Sequence, residues 1–115
     1  MVYHAYEAAD ILAQEDQIAA EVIDLRSLAP IDFAAIKESI ARTNKALIVH
    51  EDTRVGGLGA EIAATLAEDL FEMLDGPILR VTAPDTPVPY APALESAYLP
   101  DPARIVAAAR KLAAY

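Results

Sequence analysis

Apolar and polar positions along this chain switch between a helical and an extended period. Residues 3–15 repeat at helical spacing, with Tyr6, Ala9, Leu12 and Ala13 near one side and Glu7, Asp10 and Glu15 away from it. Residues 21–26, Glu-Val-Ile-Asp-Leu-Arg, predict a strand, because Val22 and Ile23 are β-branched and suit a pleated surface. Ser27 to Asp32 reads as a turn that runs into a helix cap. Asp32 is placed to accept hydrogen bonds from the free N–H groups of the next helix. Ile31 and Ile36 occupy the two positions of a hydrophobic staple. That helix is predicted to reach about Arg42, with Phe33, Ile36 and Ile40 inward and Thr43-Asn44 ending it.

Residues 45–50 form a continuous apolar run up to His50, the pattern of a strand buried on both faces. A glycine-rich turn, Gly56-Gly57-Leu58-Gly59, leads into the strongest amphipathic segment. Leu58, Ile62, Leu66, Leu70 and Leu74 repeat every four residues, with Ala63, Ala67 and Phe71 widening the stripe. Asp75-Gly76-Pro77 stops the helix, and residues 78–82 predict another strand. A loop over residues 83–100 follows, containing Pro84, Pro87, Pro89, Pro92 and Pro100. It exceeds the usual ~4–6-residue connection, which points to an interaction surface. Asp101 caps a last helix with Pro102 at its first position, where a missing N–H costs nothing. Ile105, Ala109 and Leu112 form its inner face.

Helices and strands therefore alternate, which predicts an α/β fold: three α/β/α layers with a mainly parallel sheet and right-handed crossovers. The chain opens on a helix and only three strands follow, a thin sheet for two helical layers. The expectation is one domain, residues 1–115, truncated at its N-terminus and lacking a first, inner strand.

Composition narrows the function classes. The chain has 115 residues, is 55% hydrophobic, has no cysteine and carries a net charge of −9. No apolar run approaches the ~18 residues of a membrane span, and the first residues carry no secretory pattern. Disulfides, thiolate metal sites and cysteine nucleophiles are excluded. Nucleic acid and anionic membranes want a positive surface, so neither is an expected partner. The expected location is cytoplasmic.

Three segments carry candidate chemistry. His50-Glu51-Asp52 closes a buried strand, and ligands of open α/β sheets bind beyond the carboxyl ends of strands. A histidine beside two acids suits proton transfer, but no second histidine stands at ligand spacing and no nucleophile elbow follows. The structural or interface role is the better fit. Gly56, Gly57 and Gly59 sit where phosphate-binding glycines sit, yet Ile62 takes the third glycine position and no Lys-Ser or Lys-Thr pair follows. A close-packed turn at a subunit contact is the expectation. Asp85, Thr86 and Pro87 lie in the proline-rich loop, either as a rigid connector or as a docking surface.

These segments, in this order, resemble the β-subunits of 2-oxo acid dehydrogenase E1 components. Val22 to Asp32 looks like the family's VIDLRTLxPxD stretch. Ala46 to Glu51 followed by Gly56 to Ile62 is similar to its IVHE…GGxGAEI segment, and Arg80 to Tyr90 to its RVxxxDTPxPY segment. Tyr98-Leu99-Pro100 and a terminal aromatic, Tyr115, complete the set. Transketolase and deoxyxylulose-phosphate synthase share the fold but resemble this chain less in the Asp-Thr-Pro loop and the terminal aromatic.

The resemblance implies the C-terminal, transketolase-like domain of such a subunit. The complete enzyme decarboxylates a 2-oxo acid on thiamine diphosphate with Mg²⁺ and passes the acyl group to a lipoyl arm on the E2 component. The family's cofactor and catalytic residues lie outside the matched region. No catalytic, metal or cofactor residue is therefore assigned here, and the chain alone is expected to be inactive. The implied partners are the E1 α-subunit or α-region, a second β-subunit, and the basic subunit-binding domain of E2. Docking of that last partner maps by alignment onto Asp75 and the Tyr115 carboxylate. The substrate type leans to pyruvate or branched-chain 2-oxo acids from Asp85-Thr86-Pro87. The alternatives are a free-standing, non-catalytic binding or regulatory module, or another transketolase-superfamily member.

The resemblance also implies which strand is missing. The family carries a segment like DVTIVTYG ahead of the equivalent of Met1. That strand lies inside the sheet, between those matching residues 21–26 and 45–50. Without it the chain is expected to be marginally stable, to pair its open edges with a neighbour, or to close the gap by joining the flanking strands.

Overall fold

A computed structural model describes all 115 residues. Helix α1 spans Val2–Asp16 and α2 spans Phe33–Thr43. Strand β1, Leu47–Thr53, leads to α3, Leu58–Leu70, and a 3₁₀ turn at Phe71–Met73. Strand β2 is Leu79–Ala83, followed by α4, Pro92–Tyr98, and α5, Pro102–Ala113. No helix is long and apolar enough to cross a membrane.

The predicted caps form as the residue chemistry requires. The Ala35 N–H donates to Asp32 Oδ1 at 3.0 Å, and the Arg104 N–H donates to Asp101 Oδ1 at 2.7 Å. Asn44 closes α2 in the left-handed region, φ 56°.

Two apolar clusters flank a two-stranded parallel sheet of β1 and β2. On one face Ala8 and Leu12 of α1 meet Ile105 and Val106 of α5 and Val81 of β2, with Leu47 and Val49 against them. On the other face Ile36 and Ile40 of α2 meet Ile62, Leu66 and Leu70 of α3, with Ala46 and Ile48 against them. Alternate β1 side chains thus feed opposite layers, as a strand packed on both faces requires. The expected α/β/α sandwich is present with one sheet strand fewer.

Four local expectations are corrected. Residues 21–26 form no strand. No backbone–backbone hydrogen bond reaches any group from Ala19 to Asp24; the nearest are Ile18 N–H to Leu12 and Ser27 N–H to Leu25. A strand exists only through its partner's ladder, and none lies alongside. Instead the segment is pinned by its side chains. Glu21 accepts from Ser39 Oγ at 2.8 Å and from Arg42 Nη2 at 2.8 Å, while Leu25 packs on the α2–α3 cluster. Tyr6 faces solvent, because α1 turns its Ala8–Leu12 side inward. Phe71 is 77% exposed, because the helix tightens to 3₁₀ after Leu70 and swings it off the stripe. The proline-rich loop contains α4, started by Pro92 at its first turn and anchored by buried Tyr98.

Between the unpaired segment and β1 lies an apolar cavity of about 350 Å³. Val22, Ile23 and Leu25 line one side, and Leu47, Ile48 and Val49 the other. The flanking segments have not closed on each other. The radius of gyration is 14.2 Å, against ~13 Å for a chain of this length, and only 18 of 115 residues are buried.

Candidate functional site

The glycine turn and the end of β1 form one packed unit. From Val49/Val81 to Thr53/Ala83, β1 advances four residues while β2 advances two. This bulge re-aims His50, Glu51 and Asp52. The His50 ring packs against the start of α3. A Cβ on Gly59 would overlap its Nε2 and Cδ2, and a Cβ on Gly57 would overlap the Thr53 carbonyl oxygen. Gly57 and Gly59 are therefore glycines for closeness. Gly56 is a glycine for conformation: its φ is +76° and nothing stands near its Cβ position.

Both His50 ring nitrogens are buried without a hydrogen-bond partner. Burial is the main cause holding its pKa below the ordinary 6.5; nearby Arg80 adds to this and Asp52 opposes it. The turn is close-packed at Gly57 and Gly59. No group of three or more acidic or imidazole side chains converges anywhere in the chain.

The other candidates fall at three places. Glu51 Oε1 lies 3.4 Å from the Met1 ammonium. Asp85 bonds across the fold rather than within its turn: its Oδ1 accepts from the Val55 N–H at 2.8 Å, tying the proline-rich loop to the glycine turn. Thr86 and Pro87 are exposed beside it, and Val88, Tyr90 and Leu94 continue an exposed apolar strip. Asp75 and Tyr115, 40 residues apart in sequence, come together at one corner. A Cβ on Gly76 would stand 3.0 Å from Tyr115 Cβ, so the terminal residue packs on the Asp75-Gly76 turn. The Asp75 N–H donates to Asn44 O at 2.8 Å, leaving its carboxylate exposed. Sequence reading missed the basic cleft around Arg54, Arg80 and Arg104. These residues are scattered over 50 positions and match no spaced motif.

A parallel sheet between two helical layers, with a glycine turn after its first strand, defines the class of domain. Residues 1–105 match the family model for the transketolase C-terminal domain. The chain belongs to that family. It is 44% identical over 111 residues to a mitochondrial pyruvate dehydrogenase E1 component subunit beta-2 of Oryza sativa subsp. japonica, covering 96% of this chain and 29% of that protein. It is 42% identical over 115 residues to the 2-oxoisovalerate dehydrogenase subunit beta of Bacillus subtilis (strain 168), covering 99% and 35%. It is 45% identical over 108 residues to the beta subunit of acetoin:2,6-dichlorophenolindophenol oxidoreductase of the same organism, covering 94% and 31%. The chain thus spans about a third of the length of the relatives it matches.

Proposed function

We propose that this chain is the C-terminal assembly and docking domain of a thiamine-diphosphate-dependent 2-oxo acid dehydrogenase E1 β-subunit. In the complete enzyme the chemistry is oxidative decarboxylation of a 2-oxo acid and acyl transfer to a lipoyl group on E2. This domain contributes surfaces to that enzyme, and its partners are the E1 α-subunit, a second β-subunit and the E2 subunit-binding domain. Family membership supports the assignment at the level of the whole subunit.

The observation that carries the docking role is the corner where Tyr115 packs on the Asp75-Gly76 turn. Two residues distant in sequence present one acidic, solvent-facing patch on a chain of net charge −9. Such a patch steers a basic domain toward it and fixes its register. The glycine turn and the Asp85–Pro87 loop, tied together through Val55, form a second rigid surface suited to subunit contacts.

The test is calorimetric titration of a basic E2 subunit-binding domain into the E1 heterotetramer assembled with this β-chain. Asp75→Lys is expected to weaken binding at least tenfold while the heterotetramer still assembles. Unchanged binding would remove Asp75 from the docking surface.

A further inference from the structure

The positive charges of this acidic chain are unevenly spent. Arg26, Lys37, Arg42 and Arg110 each pair with a carboxylate. Arg54, Arg80 and Arg104 form no ion pair, yet all three line one open cleft of about 610 Å³. They come from three elements: the turn after β1, β2 itself, and the first turn of α5. The cleft also takes in Thr82, Ala83 and Asp85, so it sits at the carboxyl ends of the two parallel strands. Open α/β sheets bind ligands at that end.

Backbone carbonyls hold the three guanidinium groups in place without neutralising them. Arg80 Nη1 donates to Arg54 O at 3.0 Å, and Arg54 Nη1 to Arg80 O at 3.4 Å. Arg104 Nη2 donates to Thr82 O at 2.6 Å, and its Nη1 to Leu99 O at 3.4 Å. Each guanidinium carries five N–H donors, so most donors stay free for a ligand. Asp85 is the one acid in the cleft, and it already accepts from the Val55 N–H at 2.8 Å. Three cations and one carboxylate leave a local formal charge of about +2.

We propose that this cleft binds a small phosphate-type dianion through Arg54, Arg80 and Arg104. Its charge matches the local excess, and its oxygens point in several directions, so forks from three sides can each find an acceptor. A carboxylate, planar and singly charged, fills neither requirement. A nucleic-acid backbone would meet the chain's overall net charge of −9 around the cleft. The proposal is independent of the Asp75–Tyr115 docking corner and uses neither of those residues.

The experiment is titration of the 115-residue chain with inorganic phosphate, followed by calorimetry and by the ¹⁵N resonances of the arginine Nε–H groups. Sodium chloride at matched ionic strength is the reference. Phosphate is expected to shift the Nε–H signals of the three cleft arginines and leave that of Arg26 in place. Arg54→Gln and Arg80→Gln should each weaken binding at least tenfold, with Arg26→Gln as the unaffected control. Because Arg54 is exposed, its substitution tests the cleft even if Arg80→Gln disturbs the fold. Glycerol phosphate in place of phosphate distinguishes the source. Tighter binding identifies the phosphoryl group of a metabolite, and weaker binding identifies free phosphate; either supports the site. A response to phosphate no larger than to chloride would overturn it, as would equal binding of succinate or full retention of binding by Arg54→Gln.

Discussion

Three glycines within four positions do different work, and alanine substitution separates their contributions. At Gly57 a methyl group overlaps the Thr53 carbonyl oxygen and comes within 2.9 Å of His50 Cε1. The carbonyl is main chain inside a bulged strand and cannot rotate away. Overpacking of this kind costs ~1–3 kcal/mol, and Gly57→Ala belongs at the top of that range. At Gly59 the methyl overlaps only the His50 ring, a side chain able to swing. Gly59 also lies in the first turn of α3, where alanine recovers up to ~1 kcal/mol of helix propensity, so the net cost falls to ~1 kcal/mol. At Gly56 no atom obstructs, and the cost is the ~1–2 kcal/mol of a non-glycine residue in the left-handed region. For a chain of this length, an unfolding entropy of ~2.1 cal/mol/K per residue makes 2 kcal/mol equivalent to a fall of about 8 °C in Tm. Thermal and urea unfolding of the three variants, with His50→Ala and the His50→Ala/Gly59→Ala pair, completes a double-mutant cycle. Gly59→Ala should cost about 1 kcal/mol less when His50 is already alanine. Additivity in that cycle, or a Gly57→Ala variant within ~0.5 kcal/mol of the parent, would refute the close-packing account.

Two further outcomes are expected. His50 has a folded-state pKa below its unfolded value of 6.5, so the unfolded chain takes up the proton first. His50 therefore favours the folded state fully above pH 6.5, and that contribution declines as pH falls toward the folded-state pKa. Urea midpoints between pH 7.5 and 5 should fall, and His50→Asn should flatten the dependence; an unchanged slope in His50→Asn would mean another group is responsible. Extending the chain ahead of Met1 with Asp-Val-Thr-Ile-Val-Thr-Tyr-Gly should slow amide exchange at residues 19–26 and 47–49. The gain is ~0.5–1.5 kcal/mol for each backbone bond formed, and exchange rates identical with and without the extension would show that the cavity does not accept a strand.

Most of the architecture was legible because it rests on local chemistry. Asp32 and Asp101 announce their helices by the side-chain oxygen each supplies to a free N–H. The Leu58–Leu74 repeat announces α3, and the Ala46–Val49 run announces a two-faced strand. The failures concern partners that periodicity cannot supply. Val22-Ile23-Asp24-Leu25 has strand chemistry, but a ladder needs a second strand and none pairs with it. Pro92 looked like loop because prolines surround it, although proline at a first turn starts helices equally well. Site residues joined by contiguous motifs, such as His50 with Gly57 and Gly59, were found together. Asp75 with Tyr115 required alignment to a family. Arg54, Arg80 and Arg104 could only be assembled by folding, since what unites them is one cleft lined from three separate elements.

The open side of β1 makes folding a matter of mass action. Anything that fits the cavity in the native state and not in the unfolded one raises stability by RT ln(1 + [L]/Kd). A second folded copy that offers its unpaired, extended residues 21–26 is one such ligand. The melting temperature should therefore vary with protein concentration, and the same edge is where self-association would nucleate. The charges at the two ends of the strand limit this. Lys45 stands just before β1 and Glu51-Asp52 within its last turn of pleat, leaving Leu47, Ile48 and Val49 as the uncharged stretch. Flanking charge of this sort penalises a strand in the wrong register. Solubility and selectivity at this edge come from the same three side chains.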